Sequence, residues 1–355
     1  MRKKLLFTIP TWNRATYLEK CVESIFEAAK HSKLSVNVAI SNNKSKDNTE
    51  EIIETLKLKY KSSVTAITQN THLKWYESLF ASYKLALSHD FDFCWSIGDD
   101  DHIFPNSILV LEKILESKRK FNGIFYAGEE SRSYASNKWV TMPLWSASNH
   151  FGFHELLGWM SSSIFSRKLL ENTVKVENLN QLYRKSAYCH AHAILHASIN
   201  EDITIIDTPM VSTQEKIQTL ETQKRWANGN SEIPGEIGIG EQYYEVPVIK
   251  KYQIENNIIP NTIQKNFFRY HTYQFWDRLI NEQIIKHLNN YPINLEQWNK
   301  IGLFYECIED KQLKKFLIST IENLKAMLID ATTIKDNLSS QIELLSSRTF
   351  SDSIL

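Results

Sequence analysis

The first hundred residues alternate between two hydrophobic rhythms, and this limits the fold more than any other feature of the chain. Residues 4–10 (KLLFTIP) are a short apolar run ending at Pro10, the pattern of a buried strand. Residues 16–30 then place Leu18, Val22, Ile25, Phe26 and Ala29 on one helical face, with Thr16 as N-cap and Glu19 three residues on. A second strand is read over 34–40, and a helix from Thr49 carries Ile52, Ile53, Leu56 and Tyr60. A third strand follows at 64–68, a helix at 74–89 and a fourth strand at 91–97. This order predicts an α/β fold with a parallel sheet and helices on both faces. Ligands of such sheets bind outside the carboxyl ends of the strands. The loops after the four strands are Thr11–Arg14, Ser41–Asn48, Gln69–His72 and Gly98–Asp101.

The second half is less regular. Strands are read at 121–127, 139–142 and 203–206, the last ending at Asp207-Thr208-Pro209. Helices are read at 105–115, 153–160, 167–172 and 187–199. Four of the ten glycines fall between Gly229 and Gly240, inside a polar stretch at 213–247 that also holds Trp226. The expected organisation is a catalytic domain over 1–212, a mobile loop or lid over 213–247 and a helical region over 248–355. Leu313, Leu317, Ile321, Leu324 and Leu328 give that tail an apolar stripe suited to packing on the body or on a second copy, as a homodimer.

Composition narrows the function. There are 41 basic and 41 acidic residues, a formal net charge of zero, so no bulk field attracts nucleic acid. No segment approaches the roughly 18 apolar residues of a membrane span. The basic start at Arg2-Lys3-Lys4 is followed by too short an apolar run for a signal peptide. Four cysteines without CxxC spacing read as reduced thiols of a cytoplasmic protein, not as a zinc site.

The sharpest chemical feature is Asp99-Asp100-Asp101, directly after the fourth strand. Three adjacent carboxylates repel one another unless a cation sits among them. Hard oxygen ligands at a strand end suit Mg²⁺ or Mn²⁺, with a substrate phosphate completing the shell. The alternative is a solvated acidic turn before the helix at 105–115. His190, His192 and His196 lie within seven positions, and His192 and His196 share a helical face. Each is a candidate base or ligand, or else a histidine satisfied in a polar core. Glu129-Glu130 and His102 are further candidates, with a solvated loop as the alternative for the glutamates. Gly235–Gly240 has the wrong glycine order for a dinucleotide fingerprint.

Ile9-Pro10-Thr11-Trp12-Asn13-Arg14, Ile40–Thr49 and Trp95-Ser96-Ile97-Gly98-Asp99-Asp100-Asp101 resemble, in order, three motifs of the family 2 glycosyltransferases. The third is in the form of the abequosyltransferase-like branch. The resemblance covers 4–115 well and 116–210 weakly. It implies a GT-A fold, Rossmann-like, with a helical C-terminal extension, binding a nucleotide-diphospho-sugar. It implies that Thr11 and Arg14 lie by the nucleotide, with Pro10, Asn13, Asn43 and Asp47 from the same loops. Asn42 falls where many members have an aspartate that accepts from uracil N3–H. An amide can still pair with a base edge, so the base is left open, with a UDP-sugar favoured. Gln69 and Asn70 are placed near base or ribose, and Asp99 at the sugar end of the donor.

The resemblance also implies a divalent cation, Mn²⁺ or Mg²⁺, held among Asp99, Asp100 and Asp101; His192, from the histidine spacing, is a further candidate ligand. Asp100 falls on the common ligand position and Gly98 replaces the motif's first aspartate. Inverting members carry a Glu-Asp pair in the second half; here histidines stand in that zone. The catalytic candidates are therefore Asp101, His190, His192 and Glu130. Trp159, in the run Gly158–Ser163, is a ring to stack on a sugar, or a core residue. The activity implied is sugar transfer to a glycan or lipid-linked acceptor in a bacterial surface-polysaccharide pathway. Such an enzyme is cytoplasmic, and Lys250, Lys251, Lys311, Lys314 and Lys315 offer a face for peripheral membrane association. The rivals are a sugar-nucleotide pyrophosphorylase, which needs a glycine-rich loop that Thr11–Arg14 lacks, and a non-catalytic nucleotide- or glycan-binding protein.

Overall fold

The structure is a computed structural model. It describes residues 2–117, 123, 125–129, 138–152, 156–179, 181–185, 188–213, 249 and 252–259, with seven positions between 311 and 323. Nearly all of these belong to one compact unit formed by Met1–Arg184, Tyr188–Ile217 and Asn257–Phe267. A second unit holds 185–187, 218–256 and 268–355. The expected lid and C-terminal stripe lie almost wholly outside the described residues, as does Glu130.

The chain opens β1 (Lys4–Thr11), α1 (Ala15–Ala29), β2 (Ser35–Asn42), α2 (Thr49–Tyr60), β3 (Val64–Thr68), α3 (Trp75–Leu87) and β4 (Phe93–Ser96). Leu5, Leu6, Phe7, Thr8 and Ile9 of β1 are all buried, as a central strand covered on both faces requires. Helix α1 buries Leu18, Cys21, Val22, Ile25 and Ala28, the three-and-four spacing read from the sequence. Its start differs from expectation. The helix begins at Ala15, not after Thr16, and Asp47 Oδ2 from the following loop accepts the Ala15 N–H at 3.3 Å. A carboxylate borrowed across the sheet edge replaces a local cap.

The remaining elements are β5 (Asp101–Ile103), α4 (Ser107–Glu116), β6 (Phe125–Glu129), β7 (Lys138–Pro143), α5 (Leu144–Phe151), β8 (Ser163–Ser166), α6 (Arg167–Leu179), α7 (Cys189–Ser198) and β9 (Asp202–Thr213). The sheet order is β3-β2-β1-β4-β8-β6-β9-β5, with β7 also on β9. Strands β3, β2, β1 and β4 run parallel, whereas β8 is antiparallel to both β4 and β6. The sheet is thus parallel over its first four strands and mixed beyond them. Strand β9 does not stop before Pro209. It pairs with β7 over Asp202–Asp207 and then with β5 over Val211–Thr213. Pro209 falls between the two pairings, where the register against β6 also shifts, and prolines within sheets are confined to such irregular or edge positions.

Candidate functional site

The parallel strands end in one row. In register, Thr11 of β1 lies beside Asn42 of β2, which lies beside Thr68 of β3, and Pro10 lies beside Ser41. On the other side of β1, Thr8 is level with Ser96 of β4. The loops that leave these ends are stitched together. Asn13, in the left-handed region at φ 52°, accepts the Lys46 N–H on Oδ1 at 2.7 Å and donates its own N–H to Ser45 Oγ at 2.9 Å. Asn43 N–H reaches the Thr11 carbonyl at 2.8 Å. Its side chain takes the Leu73 N–H at 2.7 Å and gives its amide to the Leu73 carbonyl at 2.9 Å. Asp47 caps α2 through the Thr49 N–H at 3.1 Å. Asn13, Asn43 and Asp47 therefore shape the loops at the ends of β1 and β2, mainly through bonds to backbone groups.

Asn42 is buried, with its amide taken on both sides. Oδ1 accepts the Ser45 N–H at 3.1 Å, and Nδ2 donates to Glu50 Oε2 at 2.7 Å. Gln69 donates to Ser41 Oγ at 3.1 Å, and the Asn70 carbonyl accepts from Lys44 Nζ at 2.8 Å. Trp12 stands against His72, ring centroids 4.5 Å apart.

The aspartates divide among three sets of partners. Thr11 Oγ1 donates to Asp99 Oδ2 at 2.7 Å, and Arg14 Nη1 donates to Asp99 Oδ1 at 2.9 Å. The same Nη1 lies 2.8 Å from Asp100 Oδ2. Asp101 Oδ2 accepts from Trp159 Nε1 at 3.2 Å and from Ser161 Oγ. Ser161 in turn accepts the Gly98 N–H at 2.8 Å, and its carbonyl takes Trp95 Nε1 at 2.8 Å. Trp159 is thereby tied to the acidic run by its indole N–H, and the 159–161 segment is fastened to the end of β4.

The electrostatics follow from this burial. Burial raises the Asp101 carboxyl to about 7, and repulsion from Asp100 adds to it, against the donors Ser161 and Trp159. Asp99 is also pushed up by burial, with Arg14 opposing and Asp100 reinforcing the rise. Burial works against the charge of Arg14, but Asp99 and Asp100 together hold it above its ordinary range. The Cys21 thiol, buried with Sγ 3.6 Å from the Gly98 carbonyl, is raised by burial and then by the three carboxylates. The cation that the three anions call for is supplied, for two of them, by Arg14.

The donor set suits a divalent cation of the Mg²⁺ or Mn²⁺ type. A Cβ built on Gly98 would come 3.0 Å from Asp100 Oδ1 and 2.9 Å from Asp101 Oδ2, so both oxygens share the space that glycine leaves open. Asp100 is partly exposed and bonded through Oδ2 alone among the described residues. Mg²⁺ commonly takes one or two carboxylates and completes its shell with water and substrate phosphates. Among the described residues no group of three or more His, Cys, Asp or Glu is arranged to hold a metal ion, so any cation here would rest on two carboxylates.

The histidines of α7 face other neighbours. His190 is buried, edge-on to the Trp75 ring at 6.1 Å between centroids. Burial lowers it to about 4, while the backbone of Leu157 and Gly158 pulls the other way. It therefore stands next to the segment that carries Trp159. His192 is buried and stacked on Tyr183 at 5.7 Å, and the Tyr183 hydroxyl meets His196 Nδ1 at 3.0 Å. The shared face of His192 and His196 is thus used to grip one tyrosine. Sequence reading missed Ser161 and Glu50. Ser161 sits in a run of three like residues, and Glu50 looks like an ordinary acid at a helix start.

Residues 7–174 match the family described as Glycosyl transferase family 2. Over 112 residues the chain is 34% identical to the abequosyltransferase RfbV of Salmonella typhimurium, a match covering 32% of each protein. The chain thus spans about a third of that relative's length. Among solved structures it is similar to S. aureus TarS 1–349, with a TM-score of 0.55 and 13% identity over 98% of this chain and 92% of that one. The same TarS fragment in complex with UDP-GlcNAc gives a TM-score of 0.51 at 13% identity, over 98% of this chain and 92% of that one. At that identity the likeness establishes the GT-A fold. The three motifs at one sheet edge fall within the matched residues 7–174, which are similar to a family 2 glycosyltransferase domain, and the similarity to the abequosyltransferase extends over 112 residues.

Proposed function

We propose that the chain is a glycosyltransferase that moves a sugar from a nucleotide-sugar donor to a glycan or lipid-linked acceptor in bacterial surface-polysaccharide biosynthesis. The observation that carries this reading is the junction of Arg14 with Asp99 and Asp100 at the carboxyl ends of β1 and β4. It supplies a guanidinium and a partly exposed carboxylate where ligands of open sheets bind. The relative named as an abequosyltransferase supports the same class of reaction.

In this reading the nucleotide lies along the ends of β1–β3, over Thr11, Asn13, Asn42, Asn43 and Gln69. Arg14 faces the diphosphate. Asp100, with Asp101 across Gly98, would hold Mn²⁺ or Mg²⁺. Such a cation, when bound, stabilises the charge that grows on a departing diphosphate. Asp99 is buried and bonded to Thr11 and Arg14, so it orients the guanidinium. Trp159 presents its ring beside the reacting sugar, with its angle set by Asp101. His190, neutral at pH 7, and Glu130 are the candidates to take the acceptor's proton. A lipid-linked acceptor brings the protein to the inner face of the cytoplasmic membrane. No helix among the described residues is long and apolar enough to cross one.

The test is turnover of a panel of labelled nucleotide sugars with Mn²⁺, read as nucleoside diphosphate release. Asp100→Ala should lower the rate by at least about a hundredfold. Failure of every nucleotide sugar to bind would overturn the proposal. A binding-only protein is the second reading, favoured by Asp99 and Asp101 already being hydrogen-bonded within the chain. It predicts donor binding with no diphosphate release in the presence of acceptor.

A further inference from the structure

Three hydroxyls meet between α3 and the sheet, just behind the acidic run. Strands β4 and β8 pair Cys94 with Phe165 and Trp95 with Ile164, so the next rung sets Ser96 opposite Ser163. Side chains alternate along a strand, and opposed residues share a face. Ser96 and Ser163 therefore lie on the face of Cys94 and Phe165. That is the face α3 covers, because the Phe165 ring meets the Tyr83 ring at 5.4 Å between centroids. Trp95 takes the other face, where it stacks on Phe7.

Neighbouring hydroxyls on this face are satisfied. Thr8, level with Ser96 on β1, donates to the Ser82 carbonyl at 2.9 Å, and Ser82 Oγ donates to the Leu79 carbonyl at 2.7 Å. Tyr83, Ser96 and Ser163 are each fully buried, and none of their hydroxyl oxygens has a hydrogen-bond partner among the described residues. Ser96 is near enough to Tyr83 to oppose the rise that burial causes in the phenol, but without the geometry of a direct bond. Hydroxyls sealed from bulk solvent are nearly always bonded, to protein or to an ordered water. The other titratable groups that act on Tyr83 are the thiols of Cys94 and Cys189. Burial raises both the phenol and the Cys94 thiol, so both stay protonated at neutral pH. A ligand among these groups is therefore uncharged, both donates and accepts, and is small enough for a packed core. Water meets all three conditions.

We propose that Tyr83, Ser96 and Ser163 hold one internal water that joins α3 to β4 and β8 as a built part of the fold. Ser161 ties the ends of those strands by accepting the Gly98 N–H. The water ties them two rungs deeper, from the face opposite Trp95. It thereby backs the turn that carries Asp99, Asp100 and Asp101. This role needs no nucleotide, so it stands apart from the reading above.

A high-resolution crystal structure of the full chain tests it. The expected result is density for a water within about 3.2 Å of at least two of the three oxygens. Direct bonds among the three hydroxyls, or a dry site, overturn the assignment. Tyr83→Phe and Ser163→Ala give a second measurement that needs no crystal. Each removes one partner of the same molecule, so the drop in melting temperature of the double variant should depart from the sum of the single drops by about a quarter or more. Strictly additive drops overturn the shared water.

Discussion

Arg14 and Asp99 stand 85 residues apart in sequence and meet at 2.9 Å. One leaves the first strand and the other follows the fourth, so their contact exists only because β1 and β4 are neighbours in the sheet. Asp99 is buried while Arg14 is a third exposed. The guanidinium is therefore the main compensation for a carboxylate taken out of water.

Arg14→Gln should cost about 1–3 kcal/mol of stability, because Asp99 keeps Thr11 as a partner but loses the charge. Adding Asp99→Asn should recover part of the loss, since the two residues share one interaction. Urea denaturation of the two single variants and the double variant measures this. Strict additivity would show that the pair is not coupled.

Gly98→Ala puts a methyl group 2.9 Å from Asp101 Oδ2 and 3.0 Å from Asp100 Oδ1. The obstacles are carboxylate tips that can turn aside, so the fold should survive with a small drop in melting temperature. If Asp100 holds the proposed cation, cation-dependent nucleotide binding should fall about tenfold or more, because the methyl group displaces that carboxylate. Calorimetric titration of UDP with and without Mn²⁺ separates these effects.

Ser161→Ala removes the acceptor of the Gly98 N–H and a donor to Asp101 in one step. The expected cost is about 1–3 kcal/mol. Trp159→Phe keeps an aromatic ring but loses a 3.2 Å hydrogen bond and part of the indole's packing on the core, so it should cost about 1 kcal/mol, less than Ser161→Ala. Equal losses from both would contradict the network described here.

His190 gives the chain an acid-sensitive term. Its folded value of about 4 lies below the ordinary 6.5, so the unfolded chain takes up the proton first as pH falls. The stability it contributes is complete above pH 6.5 and is lost as pH falls through about 4, roughly 3 kcal/mol in all. Asp101, raised to about 7, acts in the opposite sense and gains on acidification. The useful measurement is therefore the difference between wild type and His190→Gln in denaturation from pH 7 to pH 4. A flat difference would remove the assignment.

The elements up to β4 were legible because each is specified locally. An unbroken apolar run makes a central strand, and the face carrying Leu18, Val22 and Ile25 makes a helix. Strand β8 escaped notice because its four residues, Ser163–Ser166, set only the pair Ile164 and Phe165 between two serines and follow two more serines. Strand β9 was read too short because Pro209 looks like a stop, and nothing local announces that β5 will pair beyond it. The same limit governs the site. Thr11, Arg14 and the aspartates carry a linear signature. Ser161 and Glu50 acquire their roles only when distant strand ends come together. The Asp47 cap on α1 belongs to the same class, since it crosses 32 residues.

Asn43 binds both backbone groups of Leu73, and Asn13 is laced to residues 45 and 46. These bonds make the first three loops a single preassembled ledge. If the nucleotide lies on this ledge, as proposed, a chain built this way can change its acceptor by remodelling whatever follows β4 while its grip on the nucleotide is inherited intact. Swapping segments between relatives at that border should exchange what receives the sugar and leave the leaving group the same.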